Sequence, residues 1–212
     1  MRLSEIRDQF LMQLKRECLK KNLPVPATEN TMIAFDISEA QQEIQRRLKV
    51  VEKSASISLS AGYNTFSLPS DFGQHKSITV SDLPLVEMST SDIQGAQSSV
   101  GESVGFAILV SGNSQYLQIY PTPTVTVSAT LYYYPDLNFY QPSGSNAQSW
   151  GTFDGDSFTG SLQLPNRYSK AVLLHMMGKW FEEFVFKYEA EIKLLRSARV
   201  VSIKDTLGYS LG

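Results

Sequence analysis

The stretch "SASISLSAGYNTFSLPSDF", residues 54–72, marks the point where the chain changes from helical to strand periodicity. Apolar and polar residues alternate there on both sides of Gly62, Tyr63 and Asn64. A period of two is typical of a strand that buries one face, and a glycine-containing turn between two such runs favours a tight connection. The stretch therefore predicts a β-hairpin with its turn at residues 62–64.

Strand-like patterns continue to about residue 140. They are "SITVS" (77–81), "FAILVSG" (106–112), "YLQIYP" (116–121) and "VTVSATLYYYP" (125–135). Short strands separated by Gly, Ser, Asn and Pro predict a small antiparallel β-sandwich or barrel. Residues 89–103 are predicted to form a polar loop. Residues 141–163, rich in Ser, Gly, Asn and Gln, are predicted to form a long exposed loop.

The residues before this block have helical periodicity. Asp36, followed three residues later by Glu39, resembles a capping box and predicts a second helix over residues 35–51. Ser4 is the candidate N-cap of the first helix. The apolar face of that first helix is formed by Leu3, Ile6, Phe10, Leu14 and Cys18.

Helical periodicity returns after the strands. A nearly unbroken apolar stripe predicts one long helix that begins near Asn166 and is buried on more than one side. Residues 204–212, polar and glycine-containing, are predicted to form an extended tail. The stripe consists of Tyr168, Val172, Met176, Trp180, Phe184, Tyr188, Ile192 and Leu195.

This order predicts an α+β fold in which the N- and C-terminal helices form a helical bundle with an inserted antiparallel β-sandwich or barrel. The predicted domains are residues 1–53 plus 164–212, a helical domain with an extended C-terminal tail, and residues 54–163, an inserted all-β domain. The domain boundaries follow the two changes of periodicity.

Charge is distributed unevenly along the 212 residues. Residues 54–165 contain one basic residue, Lys76, and eight acids, which excludes nucleic-acid binding by phosphate neutralisation in this segment. No apolar run approaches the roughly 18 residues that span a bilayer, and the N-terminus lacks the apolar region of a signal peptide. The single cysteine, Cys18, excludes an internal disulfide and is typical of a reducing compartment. We therefore expect a soluble cytosolic chain.

The sequence offers few groups for catalysis. Its two histidines are His75, expected in a turn between strands, and His175, expected in a packed helix interface. Cys18 lies on the apolar stripe of the first helix, where it acts as a small hydrophobe. No nucleophile elbow, phosphate-binding loop or dinucleotide fingerprint is present. We expect neither an enzyme nor a bound cofactor.

Carboxylate pairs in the sequence do not predict a metal site. Asp154 and Asp156 alternate as in part of a calcium loop, but the downstream Glu and the other oxygen ligands are missing. An Asp-Gly turn is the favoured interpretation. Glu182 and Glu183 are adjacent in a predicted helix, so their side chains point about 100° apart and do not form an acid–base pair.

Two alternatives to a structural role stay open. The tyrosines of "LYYYP", with Trp150, are a candidate platform for a carbohydrate or a host-surface ligand. Alternate residues of a strand share a face, so Tyr132 and Tyr134 would be presented together and Tyr133 on the opposite side. Burial of Tyr132 and Tyr134 in the sheet core would remove this alternative. A cell-wall hydrolase is the other, but no acid–base pair at recognisable spacing supports it.

Several short motifs follow one another in a recognisable order. "SAGYNTFSLPSDF" is followed by "LQIYPTP", by "ATLYYYPDL" and, after a variable stretch, by "LPNRY" at the start of the last helix. Behind an N-terminal pair of helices, this order resembles the head-to-tail adaptor (connector, or head-completion) proteins of tailed bacteriophages, especially of the short-tailed type. The resemblance covers about residues 4–205, and the polar stretch 141–163 departs from the family pattern.

The resemblance implies a structural virion protein at the capsid–tail junction, assembled in the host cytoplasm and without membrane contact. Family members form a ring, usually a dodecamer, under the portal protein. The ring continues the DNA channel without binding the genomic DNA specifically, and it presents a surface to the tail nozzle or tail tube protein. The resemblance also implies that a C-terminal segment docks on the portal. The candidate portal-interface residues are Leu195, Arg196, Arg199, Val200, Lys204, Leu207 and Tyr209.

Overall fold

The computed structural model describes residues 1–95, 99–112, 114–137, 153–154, 157–158 and 162–206. Its contacts divide the chain into two compact units, Met1–Val51 with Leu137–Gly212, and Glu52–Asp136. The two ends of the chain are helical and its middle forms mostly antiparallel sheets, which confirms the predicted α+β class. The domain limits predicted from the sequence, at residues 53/54 and 163/164, stay a prediction.

The secondary-structure elements follow the chain in this order: α1 (Leu3–Lys20), α2 (Asn30–Leu48), β1 (Lys53–Leu59), β2 (Thr65–Ser67), β3 (Phe72–Val80), β4 (Leu83–Pro84), β5 (Val86–Glu87), α3 (Thr90–Gly95), β6 (Val100–Gly101), β7 (Gly105–Ser111), β8 (Ser114–Tyr120), β9 (Thr122–Pro123), β10 (Val127–Pro135), β11 (Phe153–Asp154), β12 (Ser157–Phe158), a 3-10 turn (Asn166–Tyr168), α4 (Ser169–Gly178) and α5 (Glu182–Thr206).

Helix α1 buries the apolar face that its periodicity predicts. All five of the residues on that face are buried in the core of the helical unit. The helix begins one residue before the candidate cap Ser4, so that assignment was wrong. The backbone N–H of Arg2 instead donates to the Glu5 side chain at 2.9 Å, which satisfies one of the free donors at the helix start.

Helix α2 begins at Asn30, so the prediction of a start near Asp36 was wrong. The extra turns are stabilised by Ile33 and Ala34, both of which are buried in the helical core. Asp36 lies inside the helix and does not cap it. The helix ends at Leu48, before the predicted residue 51, because Lys49 has a left-handed φ of 51°.

The last helical stretch is two helices, which corrects the prediction of one continuous helix. The backbone N–H groups of Trp180 and Phe181 donate to the Met177 carbonyl at 3.0 Å, and a tight turn there separates α4 from α5. Gly178 lets the two helices approach, because a Cβ on it would lie 3.3 Å from a methyl carbon of Val185. Helix α5 then continues to Thr206, so residues 204–206 are helical and are not part of an extended tail.

Two four-stranded sheets form the body of the β unit. One has the order β1-β10-β3-β4 and the other the order β2-β8-β7-β5. The long ladders are antiparallel, whereas β5 pairs with β7 and β6 with β9 in parallel. The described strands do not close into a barrel. The core between the sheets is apolar and includes Ile57, Leu59, Ile78, Phe106, Leu117, Ile119, Leu131 and Tyr133.

The predicted hairpin at residues 54–72 was wrong. Its two strands belong to different sheets, because β1 pairs with β10 and β2 pairs with β8. Between them, Gly62 takes a φ of +80° and donates its N–H to the Pro123 carbonyl at 2.9 Å. Alternation predicts correctly which residues face the core, but it does not specify the partner strand.

The stretch 89–103 is also more ordered than the predicted polar loop. It contains α3, whose Ile93 is 1% exposed, and the short strand β6. The hydroxyl of Ser89 accepts a hydrogen bond from the Asp92 N–H at 3.2 Å and thereby caps the short helix. One apolar residue in a polar run gives too weak a periodic signal to predict a helix.

Candidate assembly surfaces

The predicted portal-interface residues lie on or just beyond the last turns of α5. Leu195 is half-buried against the helical core. Val200 and Lys204 belong to α5, whereas Leu207 and Tyr209 lie outside the described residues. The assignment of this set to a portal interface stays a prediction.

The two arginines of that set bind the C-terminal end of α2. Arg196 Nη2 lies 3.4 Å from the Arg47 carbonyl oxygen. Arg199 Nη1 donates to the Lys49 carbonyl at 2.8 Å and also to the carbonyl of Leu48. A guanidinium at a helix C-terminus satisfies free carbonyls and complements the negative end of the helix dipole. Arg199 thus has a structural role within the chain itself.

A polar side chain fixes the exit of the chain from α2. Gln45 is buried; its Oε1 accepts hydrogen bonds from the N–H groups of Val50 and Val51 at 3.0 and 2.9 Å. Its Nε2 donates to the Val51 carbonyl at 2.8 Å. These bonds replace the lost helical partners and hold the backbone of Val50 and Val51 against the end of α2. No periodicity in the sequence marks Gln45 as buried.

An ion-pair cluster joins α2 to the turn after α4. Lys179 Nζ lies 2.5 Å from Asp36 Oδ1 and 2.5 Å from Glu39 Oε2. Burial alone would lower the pKa of Lys179, but the two carboxylates outweigh it and the pKa is raised. The hydrogen bond from Lys179 lowers the pKa of Glu39. The same ammonium lies 5.7 Å from the centre of the Phe35 ring.

A polar groove of about 360 Å³ lies between α2, α4 and α5. Arg47 binds Glu189 through two bonds of 2.6 and 2.7 Å, and its guanidinium carbon lies 5.6 Å from the Tyr188 ring centre. Burial raises the pKa of Tyr188 to about 12. His175 stacks edge-on against Tyr188 at 5.1 Å, and burial lowers its pKa. This confirms the prediction of a packed helix-interface histidine.

Large apolar side chains are exposed on several helices of the helical unit. On α1, Met12 and Leu19 are seven residues apart and share one face. At the far end of α1, Lys21 pairs with Glu183 at 2.7 Å and lies 5.0 Å from the ring centre of Phe181. Exposed apolar groups beside compensated charges are typical of surfaces that other proteins cover. The exposed apolar residues of the unit are Met12, Leu19, Leu23, Val25, Met32, Phe35, Val185, Phe186 and Leu194.

In the β unit, a groove of about 400 Å³ lies between β1 and β2. Its lining carries no charged side chain: Ala55, Ser56, Ile57, Ser58, Phe66, Ser67, Leu68 and Pro69. The apolar members Ile57, Phe66 and Leu68 also pack on the β core. The groove is therefore an uncharged slot between the edges of the two sheets.

The candidate ligand platform of strand β10 is divided between the two faces of its sheet. Tyr133 is buried in the core, Tyr134 is half-buried, and Tyr132 is 42% exposed. The alternation is as predicted, and because Tyr132 is not in the core, burial does not remove the carbohydrate-binding alternative. Trp150, the other predicted member, lies outside the described residues.

The remaining candidate residues do not form a catalytic or metal site in the part of the chain that the structure describes. His75 lies in β3, not in a turn, with its Nε2 3.1 Å from Glu87 Oε2 and its ring edge-on to Phe106. Cys18 is buried among apolar residues of the helical core, as predicted. Asp154 is in β11, and its predicted companion Asp156 lies outside the described residues. Within the described ranges no cluster of His, Cys, Asp and Glu is suited to hold a metal ion, and no helix has the length and hydropathy of a membrane span.

Comparison with known protein families gives one match over most of the chain. The family described as SU10 adaptor protein matches residues 1–199. That range includes α1, α2, the whole β unit, α4 and α5 up to residue 199. No curated protein matches the chain significantly.

Proposed function

The chain belongs to the SU10 adaptor protein family, and on that premise we propose that it forms a ring that connects the capsid portal to the tail and continues the DNA channel. Membership confirms the resemblance to phage head-to-tail adaptor proteins and makes the chain a structural phage adaptor that interacts with head and tail components. The dodecameric ring, the portal and nozzle contacts and the channel are proposals. The family match over residues 1–199 is the observation that carries them.

A closed ring requires two different surfaces on each subunit, because a head-to-tail contact joins unlike patches. The helical unit offers such patches on separate helices, for instance Met12 with Leu19 on α1 and Phe186 on α5. Aromatic and methionine side chains are enriched in protein interfaces. The exposed apolar groups thus support self-association of the helical unit.

Charge supports a channel through which DNA passes without adhering. The β unit, residues 52–136, carries seven acids and two lysines, and both lysines are paired at 2.5 Å, Lys53 with Asp71 and Lys76 with Glu52. Like charge repels the phosphate backbone and prevents specific binding. An acidic channel wall would therefore let the genome slide, and we assign that role to the β unit.

We place the portal contact on the last turns of α5, residues 200–206. Arg196 and Arg199 already bind the end of α2, and Leu195 packs on the helical core, so these three position the helix and Val200 and Lys204 follow them. Leu207 and Tyr209 receive a different role below. A structural role of this kind needs no catalytic group, and we propose that the protein is not an enzyme.

The test is assembly with and without the portal protein. We expect the isolated chain to be monomeric or weakly associated by native mass spectrometry, and negative-stain electron microscopy to show a dodecameric ring once portal protein is added. Two variants of the helical unit, Phe186→Ser and Met12→Ser, are compared with the control Tyr63→Ser in the β unit. This comparison separates the helical contact from a general loss of exposed apolar surface. A stable dimer that portal does not change would contradict the proposal.

A further inference from the structure

The β unit has one long sheet edge that no described strand covers. β1, with seven residues, ends one sheet, whereas the other sheet edges are formed by β2, β4 and β5, of three, two and two residues. From Ser54 to Leu59 this edge contains no charge and no proline, and its ladder to β10 has no register shift. Natural proteins protect sheet edges with charges, prolines or bulges, so an edge without them is expected to be covered by another strand.

The two sheets are joined differently at their two sides. At one side the chain runs from β4 in the first sheet through Leu85 into β5 in the second, and the N–H of Leu85 donates to the Ile78 carbonyl at 2.8 Å. At the other side β1 and β2 border the groove of about 400 Å³. The side with the groove therefore has two features: the free backbone edge of β1, and an apolar floor of the groove formed by Ile57, Phe66 and Leu68. This combination fits an extended peptide that adds a strand.

A segment of the same chain has the matching pattern. Residues 207–212, "LGYSLG", follow α5 and alternate large apolar residues with Gly208, Ser210 and Gly212. In an extended strand, Leu207, Tyr209 and Leu211 would share one face and the small residues the other. The segment carries no charged side chain, which suits an uncharged groove in an acidic unit.

The pattern of buried and exposed residues along β1, and the length of β1, also match residues 207–212. Along β1, Ile57 and Leu59 are buried while Ser56 and Ser58 are exposed, so a strand added beside β1 needs large residues inward and small ones outward. Six extended residues span about 20 Å, close to the length of the seven-residue β1. Apolar side chains directed inward would cover the groove floor, and small ones would lie beside the serines.

We propose that residues 207–212 of one copy add as a β-strand to the β1 edge of a neighbouring copy and fill the groove between β1 and β2. The proposal rests on the ring proposed above. A segment on one copy and a groove on the next are unlike surfaces, so they form a head-to-tail contact that adds to the contact proposed for the helical unit. Leu207 and Tyr209 then contact a neighbouring copy, whereas the resemblance assigned them to the portal.

A peptide experiment tests the groove apart from any ring. A labelled peptide of residues 206–212 is titrated by fluorescence anisotropy into the chain that lacks residues 207–212. We expect saturable binding, about tenfold weaker for the peptide with Tyr209→Asp and unchanged within about twofold for Ser210→Asp, because, of these two residues, only Tyr209 would face the apolar floor. No binding, or equal loss with both variants, would overturn the proposal.

Hydrogen exchange of the full chain tests the contact between copies. Among residues 55–59, the amides that do not donate to β10 should gain protection as the protein concentration rises, and this gain should be absent in the chain that lacks 207–212. Protection that does not depend on concentration would indicate pairing within one copy and would overturn the proposal. Rings on portal that are as stable without residues 207–212 as with them would also refute it while leaving the proposed function intact. Failure of the full chain to form rings on portal, with peptide binding retained, would refute the proposed function instead.

Discussion

Lys179 Nζ lies 2.5 Å from Oδ1 of Asp36, a carboxylate in the middle of α2 that is 4% exposed, although the two residues are 143 positions apart. The bond joins α2, from the N-terminal part of the chain, to the turn between α4 and α5, from its C-terminal part. It therefore links the two parts of the helical unit. Burying a carboxylate is costly unless it is paired, so the ammonium compensates a charge that would otherwise destabilise the unit.

Replacing Lys179 with methionine should destabilise the protein by about 2 to 3 kcal/mol, because it leaves Asp36 buried without this partner. Glu39→Gln, which removes the more exposed partner of the same lysine, should cost less than about 1 kcal/mol. Urea unfolding of the two variants at pH 7 measures both values. Equal losses would show that the burial of Asp36 does not determine the effect.

Arg199→Ala should lower stability by about 1 kcal/mol, because the carbonyls of Leu48 and Lys49 lose a charged donor at the end of α2. Deletion of residues 197–212 removes this contact and should lower the melting temperature. Deletion of residues 207–212 alone should leave it unchanged. Thermal unfolding followed by circular dichroism compares the three chains, and an equal decrease for both deletions would contradict a capping role of Arg199.

Periodicity predicted which face of a helix or strand is buried better than it predicted which strands pair with each other. The stripe of α1 from Leu3 to Cys18 and the alternation of Tyr132 and Tyr133 appear in the structure as expected, because each depends on local geometry. The pairing of β1 with β10 joins residues 68 to 80 positions apart, and the hairpin signal at Gly62 favoured the nearer strand instead. Long-range contacts of this kind leave no periodic mark in a single sequence.

Long-range contacts also explain why the sequence did not predict the ion pairs and hydrogen bonds of several polar residues. Asp36 followed by Glu39 has the spacing of a capping box, and only the fold shows that Lys179 binds both carboxylates. Gln45 has no local signal for its buried bonds to Val50 and Val51. The family, in contrast, was predictable, because it depends on the order of short motifs and not on contacts.

Gly73→Ala should destabilise the β unit by about 1 to 3 kcal/mol, because the added Cβ would lie 2.9 Å from the Tyr134 carbonyl oxygen and 3.1 Å from the Asp136 nitrogen. Both contacts are with backbone, which cannot rotate away. Gly101→Ala is the matched control, since its nearest neighbour would be Pro121 Cγ at 3.9 Å. Chemical denaturation of both variants should separate them, and a neutral Gly73→Ala would mean that β3 and β10 can move apart at little cost.

The final prediction concerns pH. Asp71 accepts hydrogen bonds from Lys53 Nζ at 2.5 Å and from the Tyr133 hydroxyl at 2.8 Å. Burial alone would raise the pKa of Asp71, but these two donors outweigh it, so the folded pKa lies below the ordinary value of 3.8. A depressed pKa contributes stability above the unfolded pKa, and that stability is lost as the pH falls through the folded pKa.

Asp71→Asn should therefore be less stable than the unaltered chain by about 1 to 2 kcal/mol at pH 7, and the difference should shrink as the pH falls below about 4. Tyr133→Phe keeps the buried ring and removes one donor, so it should lose less stability and show a shallower dependence over the same range. Urea unfolding from pH 2 to pH 7 measures the three curves. Because other carboxylates titrate equally in all three chains, the differences isolate Asp71, and a gap that stays constant down to pH 2 would show that the charge of Asp71 does not stabilise the β unit.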